Sequence, residues 1–488
     1  MSATLSAIRE PAPLRSLEKL PSYPWLVVGV TCIGAFIGQV DASIVQLALP
    51  ALESNLHATV ASVSWVAIAY LLAYASTLPV FARMSAISGR KLPYIVGYLI
   101  FTGASLLCGL ALNLPQLIAC RLLQGVGGGM LGSNSLSILA TAAGPQRRGR
   151  AMGMFAAAQA IGVSVGPVAG GLLLHALDWR WVFWVSVPFG LAGIILGWLV
   201  LPQTAQRDSG KRLDVWGAVL LSPALATLVV CLSEFRSWNP STLAILAVAS
   251  AILLILFVWR ERQVQSPLVD LRLFKVAPFT GGVVGVALSF ALLYAMFFLM
   301  SFIFVRGFGE SSVLSGVRLA VIPVCIGLIA PIAGKFYERF GPRWLTTGGM
   351  AFCAAGIVLS WRSLSSAVPD LLSLAVGLGL FGLGLGLYIA PNNSATIAAA
   401  PAGRTPEAGG LVNLMRVMGS MVGIVTASTA LSWRLHATAG SGERTVGLPP
   451  HTVINAAQDA LWVLLLFAIA AGVAGLFRAS EANAFAHN

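Results

Sequence analysis

The chain has 488 residues, of which 57% are hydrophobic and only 10% charged, and its mean hydropathy is +0.86. A soluble domain carries about 25% charged residues, so a large water-facing surface is excluded. The net charge of +13 would point to nucleic acid in a soluble protein, but in a membrane chain the placement of Lys and Arg reports orientation instead.

The first segment, 1–24, holds Arg9, Glu10, Arg15, Glu18 and Lys19 and has no small-residue cleavage site behind a short apolar core. It reads as a tail and not as a signal peptide. Apolar runs then recur along the whole chain, centred near Phe36, Leu71, Thr102, Val126, Val163, Gly190, Leu225, Ser250, Phe290, Val324, Gly356, Leu380, Met421 and Phe467. Each reaches the roughly 20 residues needed to cross a ~30 Å hydrocarbon core. They predict an all-α polytopic membrane protein of about fourteen helices. A β-barrel would need short alternating segments, whereas these runs are continuous. The loops between them are too short to hold a folded soluble domain.

With the N-terminus placed inside, 21 of the 30 Lys and Arg fall on the inner side, 7 on the outer side, and 2, Arg121 and Arg416, within spans. This positive-inside bias puts both termini in the cytoplasm of a multi-pass cell-membrane protein. It forms a basic collar suited to an anionic inner leaflet and does not imply nucleic acid.

Two inner loops resemble each other. The stretch from Gly334 to Arg343, which contains Lys335, Glu338, Arg339 and Gly341, aligns with Ala82 to Lys91, which contains Arg83, Ala86, Gly89 and Arg90. One follows the second helix and the other the tenth. If helices seven and eight are an insert, both loops follow the second helix of a six-helix half. Parallel halves of this kind are a transporter plan with the substrate path between them. The expected organisation is an N-terminal six-helix bundle at 25–204, two inserted helices with cytoplasmic linkers at 205–275, a C-terminal six-helix bundle at 276–478 and a tail at 479–488.

Ionisable groups inside hydrocarbon are costly and usually functional. Asp41 lies about five residues past the centre of the first helix, and Arg121 lies at the same distance and on the same side in the fourth, about 7.5 Å from each centre at 1.5 Å per residue. Equal depth permits an ion pair if both face a central cavity. Gly162, Gly166 and Gly170 share one helix face at four-residue spacing, which allows a close helix contact, and Pro167 can bend that helix. Gly127 to Gly132 matches G-x-G-x-x-G but lies inside a span with no preceding strand, so it reads as packing glycine. The six cysteines show no pairing or metal spacing and read as small buried hydrophobes. All five histidines lie in loops or the tail. No buried His/Asp/Glu cluster or Ser/His pair occurs among the spans, which disfavours a polytopic enzyme, and the tails are too short for a sensor's output domain.

Several segments carry a family resemblance when taken together. Val40 to Pro50, which includes Asp41, is similar to the first-helix pattern L-D-x-T-I-V-N-V-A-L-P, with Ser43 and Gln46 as departures. Leu117 to Gly125 holds Arg121, Gln124 and Gly125 in the manner of a fourth-helix arginine motif. Gly153 with Gly162-x-x-x-Gly166-Pro167-x-x-Gly170-Gly171 matches a fifth-helix antiporter motif. Asp178 to Trp181 with Pro188, Gly382 to Asn393, and Asn413 to Arg416 are similar to the sixth, twelfth and thirteenth helices. These segments, spread between Trp25 and Arg478, resemble the major facilitator superfamily, and within it the fourteen-helix drug:proton antiporters.

The resemblance implies secondary active transport: proton-coupled export of small hydrophobic or amphiphilic compounds by alternating access. Asp41 would exchange the proton and Arg121 would tune it. Gly153, Gly162, Gly166, Pro167, Gly170 and Gly171, together with Gly89, Arg90, Gly334, Glu338, Arg339 and Gly341, would govern the conformational cycle. Ala82 and Ala86 stand where the family's loop has glycine and aspartate, so the first-half charge latch is expected to be weakened, or rebuilt around Glu338. An uncoupled lipid or metabolite transporter of the same fold is the alternative. Trp65, Tyr70, Tyr74, Gln124, Tyr294, Tyr388, Asn392, Asn393, Asn413 and Arg416 are the expected cavity residues, since an aromatic-lined path suits amphiphiles. The expected partners are a small-molecule substrate, protons and the bilayer, with no cofactor and no metal, and the chain is expected to be monomeric.

Overall fold

The structure, a computed structural model, describes residues 10–205, 207, 213–234, 238–365, 370–401, 403–439 and 444–476. Arg9, Lys211, Arg212, Arg236, Arg478, His487 and the 479–488 tail lie outside the described residues, as does the side chain of Glu338. Among the described residues every element is helical, and 13 helices are long and apolar enough to cross a membrane. One of them, Leu114–Ala176, has 63 residues and breaks at Gly144, so the crossings number fourteen. In chain order they are α1 (Tyr23–Asn55), α2 (Val60–Ser88), α3 (Lys91–Leu110), α4 (114–143), α5 (145–176), α6 (Trp181–Val200) and α7 (Val215–Ser233). They continue as α8 (Pro240–Gln263), α9 (Ala277–Gly307), α10 (Ser312–Tyr337), α11 (Gly341–Leu364), α12 (Leu371–Ala398), α13 (Thr405–Ala439) and α14 (Pro450–Leu476).

Two Gly-Pro pairs make the sharpest turns. Gly144 precedes Pro145 with φ 70° and ψ 172°, and Gly341 precedes Pro342 with φ 70° and ψ 174°. A residue before proline is pushed out of the helical region, and only glycine reaches this positive φ without a Cβ clash. The chain therefore reverses between α4 and α5, and between α10 and α11, without a loop.

Helix contacts rest on glycine. A Cβ at Gly162 would sit 2.7 Å from the Phe36 carbonyl, one at Gly166 would overlap Ser43 Oγ, and one at Gly170 would sit 2.8 Å from Ile44 Cγ1, so α5 is pressed along α1. Gly419 and Gly423 press α13 against Ala287 and Ala291 of α9 in the same way. The glycines of the Gly127–Gly132 stretch lie against α2 and α3, with Gly127 facing the Phe101 backbone nitrogen. That is the packing role expected of them, since apolar lipid gives helices no hydrophobic drive to associate and close approach must supply it.

The helices before α7 and those after α8 meet along α5–α10, α2–α13 and α1–α9. The pair α7–α8 flanks the α2–α13 edge. Trp65 Nε1 donates to Glu234 Oε1 at 3.0 Å, Thr429 Oγ1 donates to the Leu232 carbonyl at 3.2 Å, and Ile245, Ile255 and Trp259 of α8 face outward.

Candidate functional site

The polar heart of the molecule is a closed network among the first six crossings. Asp41 and Arg121 are each 1% exposed, and Arg121 Nη1 donates to Asp41 Oδ2 at 2.7 Å. The same Nη1 donates to Gln124 Oε1 at 2.6 Å, and Arg121 Nε donates to the Val66 carbonyl at 2.8 Å. Gln124 Nε2 donates to Asp41 Oδ1 at 2.8 Å and to Ser105 Oγ at 2.9 Å. Ser105 Oγ lies 3.3 Å from Ser186 Oγ. The guanidinium stacks 4.4 Å above the Tyr70 ring and 5.7 Å from that of Phe183. Five helices, α1, α2, α3, α4 and α6, thus converge on one carboxylate. Both its oxygens are occupied, as a buried charge requires, since its desolvation is repaid only by a full set of hydrogen bonds. The three-residue spacing of Arg121 and Gln124 puts both on one face of α4.

Arg121 has partners here besides Asp41. They are the Val66 carbonyl, Gln124 Oε1 and the Tyr70 face.

A cavity of about 1400 Å³ opens at the basic end of the bundle, where Arg83, Arg90, Arg148 and Arg404 line it. The linker after α8, with its short 3₁₀ turn Leu271–Lys275, lies along the mouth, and Arg404 Nη1 is 2.7 Å from Asp270 Oδ2. Gly132 and Asn413 line the wall, and Asn413 Nδ2 donates across it to the Gly132 carbonyl at 3.3 Å. The Tyr74 hydroxyl packs on Gly132 and its ring lies 5.9 Å from that of Tyr70, so two aromatic rings separate the cavity from the Arg121 network.

The opposite end is sealed. Glu53 accepts the backbone N–H and the hydroxyl of Thr445, and Arg306 Nε lies 3.6 Å from Glu53 Oε2. Arg306 Nη2 also donates to the Pro50 carbonyl at 2.6 Å. Gly171 abuts the Ser312 carbonyl and Gly316 abuts that of Pro167, so the fifth-helix motif is itself part of the seal between α5 and α10.

The turn after α2 holds an acid that its own sequence lacks. Glu10 is 4% exposed, and its Oε1 accepts the Lys91 N–H at 2.9 Å. Its Oε2 accepts the Thr204 N–H at 2.6 Å and lies 3.6 Å from Arg207 Nη2, and Thr204 Oγ1 accepts the Arg90 N–H at 2.8 Å. Gly89, at φ 110°, lies directly under the carboxylate. The latch expected around Glu338 falls on a side chain outside the described residues, and the acid at this turn comes from the tail. The only signal for this in the sequence was the pairing of a missing loop acid with a spare acid near the N-terminus.

The remaining expected residues scatter. Trp65 is tied to Glu234 at the end of α7 and does not line the cavity wall. Tyr388 is buried against Gly285 of α9, and Asn392 Nδ2 donates to the Gly282 carbonyl at 3.0 Å, so both serve the α9–α12 contact. Gly153, Gly334 and Gly341 have open space where a Cβ would point, and Arg339 lies just before the Gly341 break. Gln46, a departure from the first-helix pattern, is buried with neither amide atom hydrogen-bonded. Reading the sequence missed Ser105, Ser186, Glu53, Thr445 and Glu10, since single polar side chains carry no spacing signal.

A buried charge network beside a cavity that is open at one end and sealed at the other defines a membrane carrier. The family model for the Major Facilitator Superfamily matches residues 31–424, and the chain belongs to that superfamily. It is a transporter and not an enzyme. It is 30% identical over 400 residues to the riboflavin transporter RibZ of Clostridioides difficile, covering 82% of this chain and 86% of that protein. It is also 30% identical over 431 residues to the multidrug resistance protein B homolog of Mycobacterium tuberculosis, covering 87% of this chain and 79% of that one. The fold matches a bacterial homolog of the lysosomal transporter Spinster, in an inward-facing and unoccupied conformation, with TM-score 0.66 and 14% identity over 94% of this chain and 97% of that one.

Proposed function

We propose that the protein exports small hydrophobic or amphiphilic compounds across the cell membrane in exchange for protons, by alternating access. The basic end and both termini are cytoplasmic in this reading, so the cavity is open to the cytoplasm and the Glu53–Thr445 seal faces outward. The halves 25–204 and 276–478 rock about the intervening site, and α7–α8 ride on the flank. The observation that carries the proposal is the Asp41–Arg121–Gln124 network, where a carboxyl can change charge while its arginine keeps other partners. A proton enters on Asp41 when the outer end opens and leaves toward the cytoplasm when the inner end opens, and compound moves out between these two events.

The multidrug-resistance relative favours export of diverse compounds. The riboflavin-transporter relative and Ala86 favour a second reading, uncoupled movement of a metabolite or lipid. One assay separates the two. In proteoliposomes screened with fluorescent amphiphiles, gradient-dependent accumulation that Asp41→Asn abolishes supports exchange. Accumulation indifferent to both the gradient and Asp41 supports the alternative.

A further inference from the structure

Arg416 is the mid-bundle charge that the network above leaves unanswered. Arg121 has Asp41; nearer the sealed end, Arg306 lies 3.6 Å from Glu53, Arg318 lies 3.1 Å from Glu310, and Arg434 Nε donates to Asp459 Oδ2 at 2.7 Å. Arg416 lies only partly buried on α13 and, among the described residues, has no carboxylate partner. Its one hydrogen bond through a described donor is Nη2 to Asn413 Oδ1 at 2.6 Å, and its guanidinium sits 5.9 Å from the Phe290 ring. Tyr294 lies one helical turn from Phe290 on the same helix.

A guanidinium in a low-dielectric site without a counter-charge is costly and is by default a functional group. Its planar fork matches a carboxylate, phosphate or sulfonate. The cavity that reaches Asn413 has the same sign. The cavity wall carries seven Arg and Lys against three Asp and Glu, and Asn413, one helical turn from Arg416, lines that wall. An excess of one charge sign in a cleft concentrates the opposite ion there. A cation finds no equivalent, because both oxygens of the mid-bundle carboxylate of Asp41 are taken.

We propose that the compounds this carrier takes are amphiphilic anions, with an aromatic body against Phe290 and Tyr294 and an acidic group on the Arg416 fork. This rests on the transport reading above and names its substrate class. The test uses two dyes with the same tricyclic body and opposite charge, carboxyfluorescein as the anion and rhodamine 6G as the cation. Each is titrated into the full-length protein in nanodiscs without a pH gradient, so failure of proton coupling leaves the readout intact. The wild-type protein is expected to bind the anion at least tenfold more tightly than the cation. Arg416→Gln is expected to lose that preference with cation binding unchanged, and Arg416→Lys to retain part of it. Wild-type preference for the cation, binding of neither dye, or equal weakening of both dyes by Arg416→Gln would overturn the proposal. The wild-type comparison decides it even if a variant does not fold.

Discussion

Glu10 accepts the backbone N–H of Lys91 at 2.9 Å, bridging 81 residues of sequence. The end of α2, which has Ala86 where the resembled loop pattern has aspartate, thereby obtains its negative charge from the tail. The same carboxylate holds the Thr204 N–H just past the end of α6, so it ties the start of α3 to the segment after α6. Glu10→Ala leaves these buried N–H groups unpaired, a loss of about 1–3 kcal/mol. A lowered thermal midpoint in detergent, partly restored in Glu10→Gln, is the expected result; an unchanged midpoint in both contradicts the pinning role.

Removing one partner of a buried ion pair strands the other, at about 3–5 kcal/mol. Arg121 keeps three other partners, so Asp41→Asn is expected to be milder than Arg121→Gln, which strands the carboxylate of Asp41. The double variant should be more stable than Arg121→Gln alone. Chemical denaturation of the four proteins in one detergent checks the order, and additive losses would mean the pair is not coupled.

At Gly171 a Cβ would strike the Ser312 carbonyl. Gly171→Ala is therefore expected to loosen the sealed end and shift the protein toward opening there. Spin labels at exposed positions on α5 and α10 near that end should report a longer mean distance in the variant. An unchanged distance distribution contradicts the sealing role.

Glu310 lies in the short loop between α9 and α10, and burial holds its carboxyl above the usual carboxylate range against the opposing pull of Arg318. A raised pKa means the folded state prefers the proton, so this contribution is present below about pH 4.5 and is lost as pH rises through the folded value. Glu310→Gln should flatten the stability profile above that window and raise stability at pH 7. A steeper profile in the variant contradicts this assignment.

The crossings and the depth match of Asp41 with Arg121 were legible because length and buried charge are scalar signals: about 20 apolar residues make a span, and an ion within one needs a partner. Which face of a helix points inward was not. Lipid and protein interior are equally apolar, so nothing in the local pattern separated Trp65, which meets α7, from Asn413, which lines the cavity. Tyr388 and Asn392 were misplaced for the same reason: their partners are Gly285 and Gly282 of a distant helix. Glu10 was visible as a charge but not as a ligand for Lys91, because no spacing rule links a tail to a turn 81 residues on.

The central claim is that Asp41 carries the exchanged proton, and the most direct measurement is proton movement itself. Proteoliposomes loaded with a pH-sensitive dye are supplied with a transported compound, and the internal pH is followed as the compound moves. Wild-type protein is predicted to show proton flux opposite to the compound, and Asp41→Asn to bind the compound while moving no protons. Proton exchange that persists in a correctly inserted Asp41→Asn protein would contradict the account.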